Sequence, residues 1–288
     1  MRIGGRQSKH FNTSKVGSLF YVQIENMNKL YIIKIGGNVL DDEQALGQFL
    51  KDFASIQAPK ILIHGGGKIA TKIGDQLGIQ SNYVNGRRIT DGPTLDLVTM
   101  VYGGLINKQM VAQLQQLGCN AMGLTGADGN MIKAVKRPVK EVDYGFVGDI
   151  TPGSVNSTLL YFLLKQNVVP VFAPLTYADG VILNTNADTI ASVLAVSLFK
   201  HFDVRLIFCF ENKGVLKDVK DKNSVIRLLD ETSYKQLLSL GIFADGILPK
   251  LENAFSAIRS GVQEVLIGEA GDLIRNTKEE TEGTLIKK

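Results

Sequence analysis

Two lysine-flanked glycine clusters stand where short apolar runs end, and their residue types are those of an anion site. The first is Lys34-Ile35-Gly36-Gly37 and the second is His64-Gly65-Gly66-Gly67-Lys68. Without Cβ atoms such loops turn tightly and present successive backbone N–H groups, a concave and partly positive surface for anions. Two of them, separated by a helix-length segment, read as a site that holds a phosphoryl group from both sides. Three further segments carry candidate side chains: Asn85-Gly86-Arg87-Arg88-Ile89-Thr90, Asn184-Thr185-Asn186-Ala187-Asp188 and Asp245-Gly246-Ile247-Leu248-Pro249-Lys250. An arginine fork suits a carboxylate. Taken singly, Arg88 and Lys250 read equally as solvated surface, and Asp188 as a residue that opens a helix.

Better-known glycine motifs are excluded residue by residue. A phosphate loop of the G-x-x-x-x-G-K-S/T type needs a hydroxyl after the lysine, and Lys68 is followed by Ile69. Neither cluster has the three spaced glycines of a dinucleotide fingerprint. His64-Gly65-Gly66-Gly67 matches the oxyanion loop of some esterases, but the nucleophile elbow G-x-S-x-G that must accompany it occurs nowhere in the chain.

The elements that must position these loops alternate. Strand-like runs at 30–35, 60–64, 121–124, 168–173, 204–210 and 263–267 are separated by helical patterns at 41–56, 67–78, 94–117, 155–166, 189–199 and 249–260. Such alternation predicts an α/β protein, a three-layer α/β/α sandwich around a mostly parallel sheet. Within 94–117, Leu95, Val98, Val101, Tyr102, Leu105, Ile106, Met110 and Leu117 spread over an arc wider than a surface helix needs. That helix is either wholly core or also meets a second subunit.

Composition narrows the classes. The length of 288 residues suits one large α/β unit or two lobes. Residues 1–26 hold four basic side chains against Glu25 and contribute +3 of the formal +4, so the rest of the chain is nearly neutral. No basic face argues for nucleic acid, and no apolar stretch reaches the ~18 residues of a membrane span. The leader is Gly/Ser/Asn-rich and non-periodic, which predicts disorder; it reads as a transit peptide or an upstream extension, with Met27 placed like a natural start. Cys119 and Cys209 lie in apolar segments and read as free core thiols of a reducing, cytoplasmic compartment. Together with the scattered His10, His64 and His201 they form no metal-ligand spacing.

Taken together, in order and spacing, these segments resemble the amino-acid kinase family from Tyr31 to the C-terminus. The matching stretches are the two glycine clusters, Asn85–Thr90, Gly123-Leu124-Thr125-Gly126-Ala127-Asp128-Gly129, Gly145-Phe146-Val147-Gly148, Asn184–Asp188, Asp245-Gly246 with Lys250, and Gly283-Thr284. The Asn85–Arg88 and Asn184–Asp188 pair is characteristic of the acylglutamate branch; glutamate, carbamate and uridylate kinases of the family lack it. The resemblance implies transfer of the ATP γ-phosphoryl to the side-chain carboxylate of an N-acylated glutamate, giving an acyl phosphate in arginine and ornithine biosynthesis. Acetyl is the default acyl group and succinyl an alternative. A catalytically silent regulatory homologue is the rival from another class.

By the same resemblance Lys34, Asp188 and Lys250 are catalytic, with Asp188 holding the two lysines rather than removing a proton. Gly65, Gly66, Arg88 and Asn184 would bind the acceptor. Lys34, Gly36, Gly37, Glu211, Gly214 and Lys250 would face the nucleotide phosphates, with Mg²⁺ arriving on ATP and held by phosphate oxygens and water. Residues 27–200 would form an acylglutamate and dimerisation lobe and 201–288 an ATP lobe, in a homodimer. One stretch departs from the pattern: relatives show a hydroxyl residue and an aspartate where this chain has Phe210-Glu211.

Overall fold

The apolar runs become parallel strands because both of their faces are covered. The structure is a computed structural model that describes residues 28–243 and 247–288; the leader and the Asp245-Gly246 turn therefore lie outside the described residues. Strands β1 (Lys29–Lys34), β2 (Lys60–Ile63), β3 (Ala121–Leu124), β4 (Val169–Phe172), β5 (Asp203–Phe210), β6 (Leu228–Leu229), β7 (Glu264–Glu269) and β8 (Thr284–Ile286) form one sheet. Its order is β6-β8-β7-β5-β1-β2-β4-β3. Every pairing from β7 to β3 is parallel. Only β8 turns the direction, running antiparallel to β7 and parallel to β6.

Successive side chains of a strand point to opposite faces, and here both faces are core. Ile32, Ile61, Leu206 and Phe208 pack with Ile190, Leu194, Leu251 and Phe255, which come from the helices Ala187–Leu198 and Leu248–Arg259. Ile33, Leu62, Val171 and Ile207 pack on the other side with Phe49, Leu50 and Phe53 of the helix Glu43–Ser55 and with Val98, Ile106 and Met110. A one-residue slip of any strand would exchange these two packed sets, so register is strongly specified. All the strands and helices expected from the sequence are present, with ends shifted by a few residues.

One helix differs in kind. The segment expected as a single α-helix over 94–117 begins at Gly92, where Asp91 accepts a hydrogen bond from the Thr94 N–H at 2.9 Å, and runs to Gln116. Its middle, Thr99–Ile106, is a π-helix. The backbone comes close to its neighbours there: a Cβ on Gly103 would lie 3.3 Å from Leu175 Cδ1. Of the wide apolar arc, Val98, Val101, Tyr102, Ile106 and Met110 are buried, whereas Leu105 and Leu117 are exposed.

Three small two-stranded ribbons, not anticipated from periodicity, lie outside the main sheet. They pair Tyr83–Val84 with Arg87–Arg88, Val135–Lys136 with Gly148–Asp149, and Leu175–Ala178 with Val181–Asn184. Two close through Asn85-Gly86 (φ 50° and 71°) and Asp179-Gly180 (φ 48° and 78°), the two-residue turns with positive φ that favour Asn-Gly and Asp-Gly. Bridges Thr90↔Gly145 and Val147↔Asn184 tie the hairpins together. Among the described residues no helix is long and apolar enough to cross a membrane.

Candidate active site

Lys34 ends β1, and a helix that begins after β4 and its hairpin delivers a carboxylate to it. Asn186 caps that helix by accepting from the Thr189 N–H at 2.9 Å. The helix therefore starts at Ala187, not at Thr189 as periodicity alone suggests, and Asp188 falls in its first turn, where the helix dipole favours a negative charge. The Lys34 ammonium stands 2.7 Å from Asp188 Oδ1, and the Lys250 ammonium 3.8 Å from Oδ2. Pro249 sits in the first turn of the helix that carries Lys250. Lys250 also lies over the Phe210 ring, 5.2 Å from its centroid.

Burial raises the Asp188 pKa, but the charges of Lys34 and then Lys250 outweigh it and hold the carboxyl below its ordinary value. A carboxylate engaged by an ammonium on each oxygen is a poor proton acceptor and a good spacer. Beside it on β5, burial pushes the Cys209 thiol up to about 12 despite the nearby Lys34 charge. Cys209 is thus a packed, protonated thiol, as its apolar setting predicts.

The two glycine clusters differ physically. Ideal Cβ atoms on Gly36 and Gly37 would meet nothing closer than 3.9 Å, and the one on Gly36 would lie 4.0 Å from Lys34 Nζ. These glycines leave open room near the lysine. Gly66 instead has φ +147°, and its Cβ would lie 2.5 Å from Ile106 Cδ1 and 3.0 Å from Tyr102 Cδ1. Only glycine fits there. Gly66 precedes the helix Gly67–Gln76, so the second cluster opens directly onto a helix N-terminus.

Next to this loop is a cavity of about 240 Å³ walled by Gly65, Gly66, Gly67, Arg88, Asn184 and Ala187, among others. Arg88 is 7 % exposed. Its guanidinium donates to the Gly67 carbonyl at 2.8 Å, to Thr71 Oγ1 at 2.9 Å and to Ser81 Oγ, and stacks 4.8 Å from the Tyr83 centroid. A guanidinium has five N–H donors, so the loop arginine is fixed by the protein and still retains donors. Asn184 Nδ2 donates to Thr90 Oγ1 at 3.1 Å, which links the hairpin of Arg88 to its own. Arg87, Arg137, Tyr83 and Tyr102 also line the cavity. Sequence reasoning placed Arg87 only within the Asn85–Thr90 segment and Tyr102 only in an apolar arc, and did not single out Tyr83 or Arg137. Arg137 sits in an irregular segment, and only the small hairpin brings it to Asp149, with Nη2 donating at 2.6 Å.

The turn after β5 holds the remaining expected residues. Glu211 is exposed and Gly214 buried. A Cβ on Gly214 would lie 2.6 Å from Thr284 Oγ1, and the same hydroxyl accepts the Val215 N–H at 2.8 Å. Gly214 therefore has a packing reason to be glycine, alongside any part in phosphate binding. A larger cleft, about 600 Å³, lies at the opposite end of the strands and includes Lys60 and Cys119. Lys60 there donates to the Ala54 carbonyl at 2.9 Å and to the Ile56 carbonyl at 2.5 Å, closing the end of a helix. The charged constellation is at the other end.

Comparison with known proteins identifies what the chain is similar to. The model of the amino acid kinase family matches residues 29–269. The chain is 56 % identical over 248 residues to the acetylglutamate kinase of Parabacteroides distasonis, covering 86 % of this chain and 96 % of that one. It is 55 % identical over 261 residues to the acetylglutamate kinase of Bacteroides thetaiotaomicron, covering 90 % and 99 %. Among solved structures, smu.665 from Streptococcus mutans UA159 superposes with a TM-score of 0.70 at 28 % identity, covering 90 % and 98 %.

Proposed function

This chain belongs to the amino acid kinase family, and from that premise we infer that it transfers the γ-phosphoryl group of ATP to the side-chain carboxylate of N-acetyl-L-glutamate. The product is N-acetyl-L-glutamyl 5-phosphate, an intermediate of arginine biosynthesis. The observation that carries this is the Lys34–Asp188–Lys250 cluster beside a cavity that Arg88 and Asn184 wall.

The acceptor carboxylate is ionised near neutrality, its reference pKa being about 4.3, so the reaction needs no strong base. Its difficulty is bringing one anion to another and stabilising charge that spreads over the moving phosphoryl. Positioning and preorganised positive groups meet that need. Lys34, with the open loop at Gly36 and Gly37, faces the transferring group, and Lys250 the leaving side. Asp188 sets the spacing of the two ammonium groups. Arg88 takes the acceptor's α-carboxylate with its remaining donors, and Asn184 orients the neighbouring polar atoms. The exposed Glu211 and the turn at Gly214 border the nucleotide side. Both oxygens of Asp188 face lysines, so Mg²⁺ arriving with ATP would be held by phosphate oxygens and water, where it neutralises phosphate charge.

In this reading residues 27–200 bind the acceptor and 201–288 bind ATP. Asp188 and Lys250 come from the two sides of that division and meet at the point of transfer. The protein acts as a cytoplasmic homodimer. The support for assembly is exposed apolar surface: Met100 and Leu105 on the π-helix are 56 % and 41 % exposed, and Met122 on the edge strand β3 is 41 % exposed. Light scattering should give twice the chain mass at micromolar concentration; a monomer there would exclude the dimer.

The deciding experiment is ADP release from MgATP with glutamate, N-acetylglutamate or N-succinylglutamate as acceptor, coupled to trapping of the acyl phosphate with hydroxylamine. N-acetylglutamate should support turnover and hydroxamate formation, and free glutamate should not. Turnover with succinyl alone would move the acceptor to the other acyl group. No acceptor-dependent ADP release at all would favour a silent regulatory homologue.

A further inference from the structure

We propose that His64 and Asn107 form a positioning pair that sets the direction of the Gly65–Gly66 peptide in the phosphate-binding loop, a role that rests on the phosphoryl-transfer function inferred above. Both side chains are buried. The Gly65 carbonyl can only accept a hydrogen bond, so His64 Nδ1, 2.7 Å from it, carries the ring proton. His64 Nε2 is then an acceptor, and Asn107 Nδ2 donates to it at 3.2 Å. The second amide hydrogen of Asn107 goes to the Val171 carbonyl at 2.9 Å, another obligate acceptor. All three contacts demand the same tautomer and the same amide orientation.

The consequence follows from peptide geometry. In a planar trans peptide the C=O and the following N–H point in opposite directions. Holding the Gly65 oxygen against the buried imidazole therefore turns the Gly66 N–H away from it, toward the cavity that Gly65, Gly66 and Gly67 line. Tyr102 and Ile106 of the π-helix close against the Gly66 α-carbon, and Asn107 is the first residue after that π-helix. The unusual turn thus delivers the two apolar contacts and the amide together, in keeping with the frequent location of π-turns at functional sites. Asn107 Oδ1 is left buried without a hydrogen-bond partner. Turning the amide over would set that oxygen against the Val171 carbonyl and the His64 lone pair, so the orphaned acceptor is the lesser penalty. Burial, opposed by the Gly65 bond, holds the imidazole pKa down to about 4, so the ring stays neutral through the physiological range.

Two measurements test the pair. In the full chain labelled with ¹⁵N-histidine, the His64 imidazole should show the neutral Nδ1–H tautomer without titrating between pH 5 and 8. A neutral Nε2–H tautomer, or a midpoint near 6.5, would overturn the assignment. In kinetics, an Asn amide nitrogen falls near the place of an imidazole Nδ1 and a Gln amide nitrogen near Nε2. His64→Gln should lower kcat by roughly 10- to 30-fold, the scale of a misdirected donor, with both KM values within about twofold. His64→Asn, which keeps the donor to Gly65, should recover kcat to within about threefold of wild type. Equal kcat in the two variants, or a loss confined to Tm, would overturn the proposal. The tautomer measurement needs no turnover, so a wild type that fails to phosphorylate any acceptor would count against the kinase function and leave the pairing to be judged on its own.

Discussion

The two ends of the site, proposed above to serve the phosphoryl group and the acceptor, are built in opposite ways. At the phosphoryl end, Lys34, Asp188 and Lys250 stand on a long buried strand and two core helices, with the glycine loop clamped by Ile106 and Tyr102. At the acceptor end, Arg88 and Asn184 stand on hairpins of two and four residues per strand, joined by single bridges and side-chain bonds. Short two-stranded ribbons are marginal alone; here Arg88 is fastened to Gly67 and Thr71 of the helix Gly67–Gln76 and to Ser81, and the Asn184–Thr90 bond ties the hairpins to each other. The rigid end suits chemistry that must be the same for every turnover, and the ribbon end suits recognition, where a changed loop changes the acceptor without moving the sheet.

If that contrast is right, lesions at the rigid end should fall on kcat. Lys34→Ala should reduce kcat by roughly 10²–10³, the usual loss on removing one preorganised charge-stabilising donor, with both KM values changing by less than about threefold. A wild-type kcat in the purified variant would end its catalytic role. Asp188→Asn keeps the shape and deletes the charge between the lysines, and should cost about 10² in kcat. The wild-type kcat profile at saturating substrates should show no ionisation from mildly acidic to neutral pH that the variant lacks. Such an ionisation would make Asp188 a general base.

The same end should be sensitive to acid through its fold. His64 has a folded pKa of about 4 against an ordinary value of 6.5, so the unfolded chain binds the extra proton between those values. Stability is therefore complete above about pH 6.5 and is lost as pH falls, by about 2 kcal/mol at pH 5. Asp188, with a depressed folded pKa, adds a loss only at lower pH, below its unfolded value. Denaturant titrations at pH 7 and 5 should show this fall in wild type and a smaller one in His64→Asn. Parallel curves would remove His64 as the cause. The smallest effect is expected at the acceptor end. Arg88→Lys should raise KM for N-acetylglutamate about tenfold, because an ammonium cannot reproduce the fork, and leave KM for ATP alone. A rise in ATP KM instead would erase the division between the two ends.

Much of the rigid end was legible from residue order. Lys34, Gly36 and Gly37 follow an apolar run, Asp188 reads as a residue that opens a helix, and Lys250 follows Pro249, so each is tied to an element whose start or end has a local signature, although the capping Asn186 emerges only in the structure. The hairpins of the ribbon end went unread, although Arg88 and Asn184 were picked out as candidates. Asn85-Gly86 and Asp179-Gly180 carry the chemistry of tight hairpins, but strands of two residues have no periodicity to read, and Arg87 and Arg137 could not be told from solvated cations. The π-helix was invisible for a related reason: an extra residue in one turn displaces the apolar pattern by too little to separate it from a wide α-helical face.

By itself the sequence determined the alternation of strands and helices, the two-sided burial of the sheet and the inventory of charged groups, because local periodicity and capping act over a few residues. Tertiary structure alone decided that Asp188 lies 2.7 Å from Lys34 and 3.8 Å from Lys250, that a buried amide fixes the tautomer of His64, and that Gly66 must be glycine against Ile106. Those relations join residues 40 to 154 positions apart. Nothing local encodes such distances; they exist only once parallel strands bring their ends to one edge and helices from both faces close over it.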